Sequence, residues 1–389
     1  MGKFNIIFMG STQNYPLQFS ACNTKIELLS RRFIEKGSKV TVINSPFGVK
    51  NCQKYMNSKN EYGINFNNFK YCNYNVIGLF KNFLIINKIL RKNKSKNLKN
   101  IVFYDYEYFP VYLISLLLIK LNGYFNISIY HECQIHIRNN NKFKFIFGYL
   151  YDNIFGYFSD AILPISSALQ NRSAKFRRPT FKLPIVSVFA TRNNNCNDVK
   201  NYYAYVVNAG YYRAIDLVIN SFKSYYFKNG KSLLKLILHG NKESKNRIYQ
   251  LLIKNNLSEK IQILEKLSDK KLKNLLSKSK ANLIPLFEDN PQDRSRFSQK
   301  IAEYLSVKRP IITNFVGEIN FYFKDNINAV ILKDNKITTF SNRLLELDKK
   351  DSLDKIGMNG YLLGRKFFCY KKNTDKLIYF LDTITSKKL

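Results

Sequence analysis

The sequence predicts an α/β protein built from two doubly wound domains. Three observations carry this. Strand-like apolar runs alternate with helical patterns along nearly the whole chain. The alternation stops at a polar, asparagine-rich stretch and then restarts. The chain has 389 residues, too many for one ordinary core. Its 45% hydrophobic content is that of a globular protein, which excludes disorder as a class.

The first half opens on the β-rich run Lys3 to Met9, followed by a Gly10-Ser-Thr turn. Thr24-x-x-Glu27 reads as a capping box ahead of Ile26, Leu28, Leu29 and Phe33, and Gly37 ends that helix. Val40 to Ile43 is the next strand. A helix around Leu84 to Leu90, strand Ile101 to Tyr104, helix Val111 to Leu121 and strand Asn126 to Tyr130 follow. A helix across Phe143 to Phe158 leads into Asp160-Ala-Ile-Leu-Pro-Ile-Ser166. Thr191 to Lys200, with four asparagines, reads as the linker. Beyond it come strand Tyr203 to Val207, the turn Asn208 to Arg213, and a helix with Ile215, Val218, Ile219, Phe222 and Tyr226 at helical spacing. Strands at Leu236 to Gly240, Ile261 to Leu264, Ala281 to Pro285, Ile311 to Thr313 and Ala329 to Leu332 complete the set, with a helix at Leu272 to Lys278. Strands separated by helices imply parallel sheets with helices on both faces. The expected domains are 1–192, completed by a C-terminal helix in 370–389, and 200–369, with the site in a cleft facing the strands' carboxyl ends.

Six scattered cysteines without a CxxC pair, and three histidines, give no zinc pattern, so no metal is expected and the thiols read as reduced and cytosolic. The N-terminus carries no long apolar region with a cleavage site, so no signal peptide is expected. The best apolar run, Tyr108 to Ile119, is about 12 residues, short of a membrane span. The net charge is +36. Abundant Lys, Asn, Ile, Tyr and Phe with no Trp is the composition of an AT-rich coding sequence, which explains part of that charge. The rest still attracts polyanions such as sugar phosphates, nucleic acid or an anionic membrane.

The densest chemistry lies near residue 300. Arg294, Arg296 and Lys300 gather at the start of a short helix, where free N–H groups already favour an anion, so phosphate is the natural ligand. A solvated cationic cluster accounts for the same residues. Lys300 and Glu303 share a face three residues apart. The segment Phe297-Ser-Gln-Lys-Ile-Ala-Glu303-Tyr-Leu-Ser-Val-Lys-Arg-Pro310 resembles the F-P-x-K-x-x-E-Y-L-A-x-G-x-P segment of GT-B glycosyltransferases. The closest group is the family-4 type of bacterial polysaccharide and lipopolysaccharide synthesis. Gly10 with Gly37-x-x-Val40, His131-Glu132 after a strand, Asp160 to Ser166, Gly210 to Asp216, Gly317-Glu318 and Asp325 to Asn328 are similar to further family segments in the same order.

The resemblance implies two Rossmann-like domains facing each other across a cleft, and a nucleoside diphosphate sugar as co-substrate with no cofactor. It implies that Glu303 holds the ribose, that Lys300 and Arg213 neutralise the diphosphate, and that Arg296 adds charge there. It also implies that Gly10 and Gly210 allow close backbone approach, and that His131 meets the transferred sugar or the acceptor. The expected activity is retaining, metal-independent hexosyl transfer from a UDP- or GDP-sugar to a glycan or lipid-linked acceptor of a cell-surface polysaccharide. The expected location is cytoplasmic, with peripheral contact at the inner membrane face and no nucleic-acid partner. The sequence departs from the family where Ser295 replaces a sugar-gripping glutamate, with Asp289 or Asp293 as substitutes. It departs again where Lys308 replaces a glycine before Pro310, and where Tyr211 follows Gly210. Asp105-Tyr-Glu107 resembles the metal-binding DxD of another glycosyltransferase fold, without the organisation of that fold around it. A GT-B sugar-nucleotide epimerase and a basic nucleic-acid-binding protein are the competing readings. Basic tracts at Asn87 to Asn100, Lys142 to Phe145 and Lys175 to Arg178 suit an anionic membrane or are simply solvated.

Overall fold

In the computed structural model, residues 2–10, 15–16, 20–44, 58–67, 76–107, 109–137, 142–190, 198–349 and 352–386 are described. The chain divides into two units. One is Met1–Val186 with Ser295–Phe297 and Tyr370–Leu389; the other is Ser187–Arg294 with Ser298–Cys369.

The first unit contains β1 (Phe4–Met9), α1 (Ala21–Glu35), β2 (Lys39–Ile43), β3 (Ser58–Lys59), β4 (Asn65–Asn67), α2 (Val76–Asn93), β5 (Lys99–Tyr104), α3 (Phe109–Leu121), β6 (Phe125–Tyr130), α4 (Lys142–Ile154), β7 (Ala161–Pro164) and α5 (Ser167–Ser173). Its strand order is β3-β4-β2-β1-β5-β6-β7, parallel except for the β3–β4 edge pair. That short hairpin has no apolar alternation long enough to announce itself in the sequence. The capping box is a further correction. α1 starts a turn earlier than expected, because the Ser20 hydroxyl accepts from the Asn23 amide and takes the N-cap role. The early start places Cys22 and Lys25 on the helix.

The second unit contains β8 (Tyr202–Asn208), α6 (Tyr212–Phe227), β9 (Leu233–His239), α7 (Lys242–Lys254), β10 (Ile261–Leu264), α8 (Asp269–Lys278), β11 (Asn282–Leu283), α9 (Pro291–Ser295), α10 (Gln299–Ser306), β12 (Ile311–Asn314), α11 (Ile319–Tyr322), β13 (Val330–Leu332), α12 (Ile337–Asp348) and α13 (Leu353–Phe367). Its sheet is parallel throughout, in the order β10-β9-β8-β11-β12-β13. Each sheet therefore reverses its winding once, at β1/β5 and at β8/β11. Such switch points leave a crevice at the strands' carboxyl ends. Most of the expected linker, residues 191–197, lies outside the described residues, as does the loop at 11–14 after Gly10.

Helix α14 (Tyr370–Ser386) belongs to the first unit although it ends the chain. Leu377, Ile378 and Leu381 are buried in the same core as Ile26, Leu29 and Phe33 of α1. Two parallel bonds from Arg32, at 2.8 and 2.7 Å to Asp375, fix its register. In the second unit Asp348 ties the core edge together, accepting from Tyr203, Tyr225, Ser232 and Lys280.

Lys308, where the resembling family carries glycine, adopts the left-handed φ of 60°. That conformation costs a side-chain-bearing residue about 1–2 kcal/mol, and β-branching worsens the clash. Lys308→Val is expected to destabilise the protein by at least about 1 kcal/mol, whereas Lys308→Gly does not. Urea unfolding of the two variants beside the parent checks this.

Candidate active site

In the second unit the decisive position is Val206 on β8. The two-residue strand β11 pairs with β8 only at Asn282 and Ala204, so the sheet parts beyond that point. Val206 still needs partners for its backbone groups. Helix α10 supplies them: the Val206 amide donates to the Tyr304 hydroxyl at 3.2 Å, and its carbonyl accepts from Lys300 Nζ at 2.9 Å. Ile301, Ala302, Tyr304 and Leu305 are buried, which leaves Lys300 and Glu303 on the face of α10 away from the core.

Glu303 is only partly covered by surface area, yet its carboxyl is strongly desolvated and its pKa rises to about 7. Burial is the main cause. Asp269 adds to the rise, while Lys300 and Lys273 oppose it. His239 at the end of β9 is pushed the other way, below its ordinary value, first by burial and then by Lys300 and Lys245. Between β8 and α6, the Gly210 amide donates to Asn208 Oδ1 at 2.9 Å, and the Ala209 amide donates to the His239 carbonyl at 2.7 Å. Gly240 follows with φ of 121°. Two consecutive strand ends thus turn sharply near Lys300, which bonds Val206 and acts on His239.

Arg213 lies in the first turn of α6. It pairs with Asp289 at 2.9 Å and stacks over the Phe287 ring at 4.0 Å, with its side chain 55% exposed. Of the two suggested substitutes for the missing glutamate, Asp293 is buried and accepts from the Phe287 amide at 3.1 Å, while Asp289 stays exposed beside Arg213. Arg296 lies between α9 and α10. It falls in the Ser295–Phe297 segment of the first unit, because the chain leaves α9 and re-enters at the Ser298 cap of α10. A shallow depression beside Tyr212 and α7 contains none of these residues.

The first unit builds a second cluster at its own switch point. Gly10 ends β1 with φ of 110°, and a Cβ there would approach the Asp105 carbonyl oxygen to 2.4 Å. The Asp105 amide donates to the Met9 carbonyl at 3.0 Å. Asp105 Oδ2 lies 3.1 Å from His131 Nδ1 and accepts from the Cys22 thiol at 3.8 Å. A carboxylate only accepts, so it assigns the proton to Nδ1 and leaves the Nε2 lone pair open. Nε2 is shielded from solvent and has no hydrogen-bond partner among the described residues. The ligand atoms of Cys22, Asp105 and His131 lie within 4.8 Å of one another, close enough to hold a metal ion, an arrangement scattered cysteines and histidines did not announce. Lys25, buried one helical turn from Cys22, donates to the Leu183 carbonyl at 3.1 Å. Burial lowers its pKa to about 7, and Cys22 and Asp105 oppose the fall. Glu107 does not complete a DxD pair with Asp105, since it accepts from the Tyr104 hydroxyl at 3.1 Å.

The sequence of residues 189–362 matches the family described as Glycosyl transferases group 1, a span covering most of the second unit. The whole chain has the GT-B fold, and its glycosyltransferase sequence lies in residues 189–362. Its fold is similar to that of sucrose-phosphate synthase from Thermosynechococcus elongatus (TM-score 0.74, 11% identity, 98% of this chain and 99% of that one). It is also similar to a glycosyltransferase from Rickettsia africae (TM-score 0.70, 14% identity, 99% of each chain). Anabaena HepE, solved in complex with UDP, matches with a TM-score of 0.71 at 9% identity, over 97% of this chain and 99% of that one. No curated protein matches by sequence.

The raised pKa of Glu303 has a stability consequence. Below about 4.5 the carboxyl is protonated folded or unfolded, and it carries no penalty. As pH rises through about 7 the folded state must bury a charge, so stability falls. Glu303→Gln is therefore expected to be more stable than the parent at pH 8, by on the order of 2 kcal/mol, and to match it near pH 4.5. Urea denaturation at both pH values reads the difference.

Proposed function

We propose that this glycosyltransferase moves a sugar from a UDP- or GDP-type donor to a glycan or lipid-linked acceptor in cell-surface polysaccharide assembly. The observation that carries the donor assignment is the parting of the second sheet at Val206, where Lys300 holds the open carbonyl and Glu303 follows one turn on in α10. Glu303 accepts from the ribose hydroxyls. Lys300 exchanges the Val206 carbonyl for the diphosphate, and Arg213 adds a second cation from the start of α6. These cations stabilise the negative charge that grows on the departing nucleotide, the main electrostatic task in glycosyl transfer from a nucleotide. With that charge supplied by side chains, we assign no metal to the diphosphate; retention at the anomeric centre rests on the family resemblance alone. Arg296 and Gly10 serve the donor phosphate in the same reading. UDP bound to HepE, a protein of the same fold, agrees with this donor class.

His131 meets a sugar hydroxyl through Nε2, and Asp105 fixes the tautomer that makes this nitrogen an acceptor. We place the enzyme in the cytoplasm, peripheral to the inner membrane face, with no nucleic-acid partner.

Thermal unfolding with UDP, GDP and CMP, with and without EDTA, tests the donor site. A nucleoside diphosphate raises Tm equally in both conditions, and Glu303→Ala loses the rise. Silence to every nucleotide, with steep salt-dependent oligonucleotide binding, overturns the assignment. Nucleotide binding at pH 7 should also release protons, since ribose contacts favour the Glu303 carboxylate. Calorimetry in buffers of differing ionisation enthalpy detects the release, which Glu303→Gln abolishes. Asp105→Asn and His131→Ala each lower kcat at least about tenfold, and together they lower it no further, because they remove one device. Additive losses with unchanged nucleotide affinity would separate the two residues.

A further inference from the structure

Helix α3 packs against both α2 and α4 in the first unit, and all three leave an apolar stripe in solvent. On α2 the stripe is Ile77, Phe80 and Leu84; on α3 it is Leu113, Leu117 and Leu121, the last 71% exposed. On α4 it is Phe143, 73% exposed, with Ile146 and Tyr149. These spacings of three and four residues keep each set on one face of its helix. Residues 76–158 hold 12 of the chain's 27 exposed large apolar side chains among the described residues, far more than their share of the length. Scattered apolar residues are ordinary on a surface, whereas contiguous stripes on neighbouring helices mark an interaction site.

The charges beside the stripes select the partner. Lys81, Lys88 and Arg91 continue the exposed face of α2, Lys120 flanks the α3 stripe, and Lys142 and Lys144 flank that of α4. The three helices contain one acid, Asp152, which is fully buried and accepts from the Ile135 amide and the Cys133 thiol. A face of leucine and phenylalanine among lysines, with no exposed acid, complements anionic headgroups and the acyl chains beneath them. No helix among the described residues is long and apolar enough to cross a bilayer. α3, with 13 residues, reaches only about 20 Å.

We propose that the outer face of α2, α3 and α4 is a docking surface for an anionic phospholipid bilayer, on which the enzyme lies rather than spans. The proposal deepens the membrane-linked acceptor reading. Its test needs no transfer reaction, so the two can fail separately. Co-sedimentation with vesicles of phosphatidylcholine alone, or with one third phosphatidylglycerol, measures the interaction. Binding requires the anionic lipid and weakens as salt rises. Lys81→Glu with Lys88→Glu and Arg91→Glu reduces it about a hundredfold, from a contribution of about fivefold per cation near such a surface. Leu117→Glu with Leu121→Glu reduces it at least about tenfold, and Phe227→Ser, on an exposed site of the second unit, leaves it unchanged. Unchanged circular dichroism and nucleotide-induced Tm shift show that the variants fold. Equal binding to neutral vesicles, or full binding by both helix variants, overturns the proposal. So does a lipid-free dimer in ultracentrifugation that the same substitutions abolish, which would make the face a subunit interface.

Discussion

The second unit depends on one unfilled place in its sheet. β11 is too short to pair with the end of β8, and a buried backbone with nothing to bond is costly. α10 resolves this with two side chains, Tyr304 and Lys300, on the amide and carbonyl of one residue. The same contact that completes the sheet sets the direction of α10, and so brings Lys300 and Glu303 to the strand ends. Structural satisfaction and functional placement are therefore one interaction.

That arrangement holds tension. Lys300 donates to a neutral carbonyl, while Glu303 sits where its charged form is disfavoured. His239 beside them is held towards its neutral form. In the proposed reading a nucleotide brings phosphate to the lysine and hydroxyl donors to the carboxylate. Perturbed groups collected at a switch point are the physical mark of a site made for a ligand.

The first unit repeats the logic with other chemistry. Gly10 lets β1 turn against Asp105, and Asp105 orients His131, whose open nitrogen has no partner among the described residues. The cationic excess is uneven in consequence. In the second unit a few cations meet specific partners, whereas on α2, α3 and α4 they stand beside exposed apolar side chains. Composition drift explains how many lysines there are, and not why these three helices lack an exposed acid.

The sequence by itself determined the alternation of strands and helices, since period 2 and period 3.6 are written locally. It also determined the chemistry of the segment ending in Glu303, because Lys300, Glu303 and Tyr304 lie within one short helix. Only the tertiary structure decided which of its groups act together. Val206 became a partner of α10 because β11 stops early. Cys22, Asp105 and His131 came together because β5 and β6, far from α1 in sequence, end beside the start of that helix. Such meetings depend on sheet order, which no local pattern encodes.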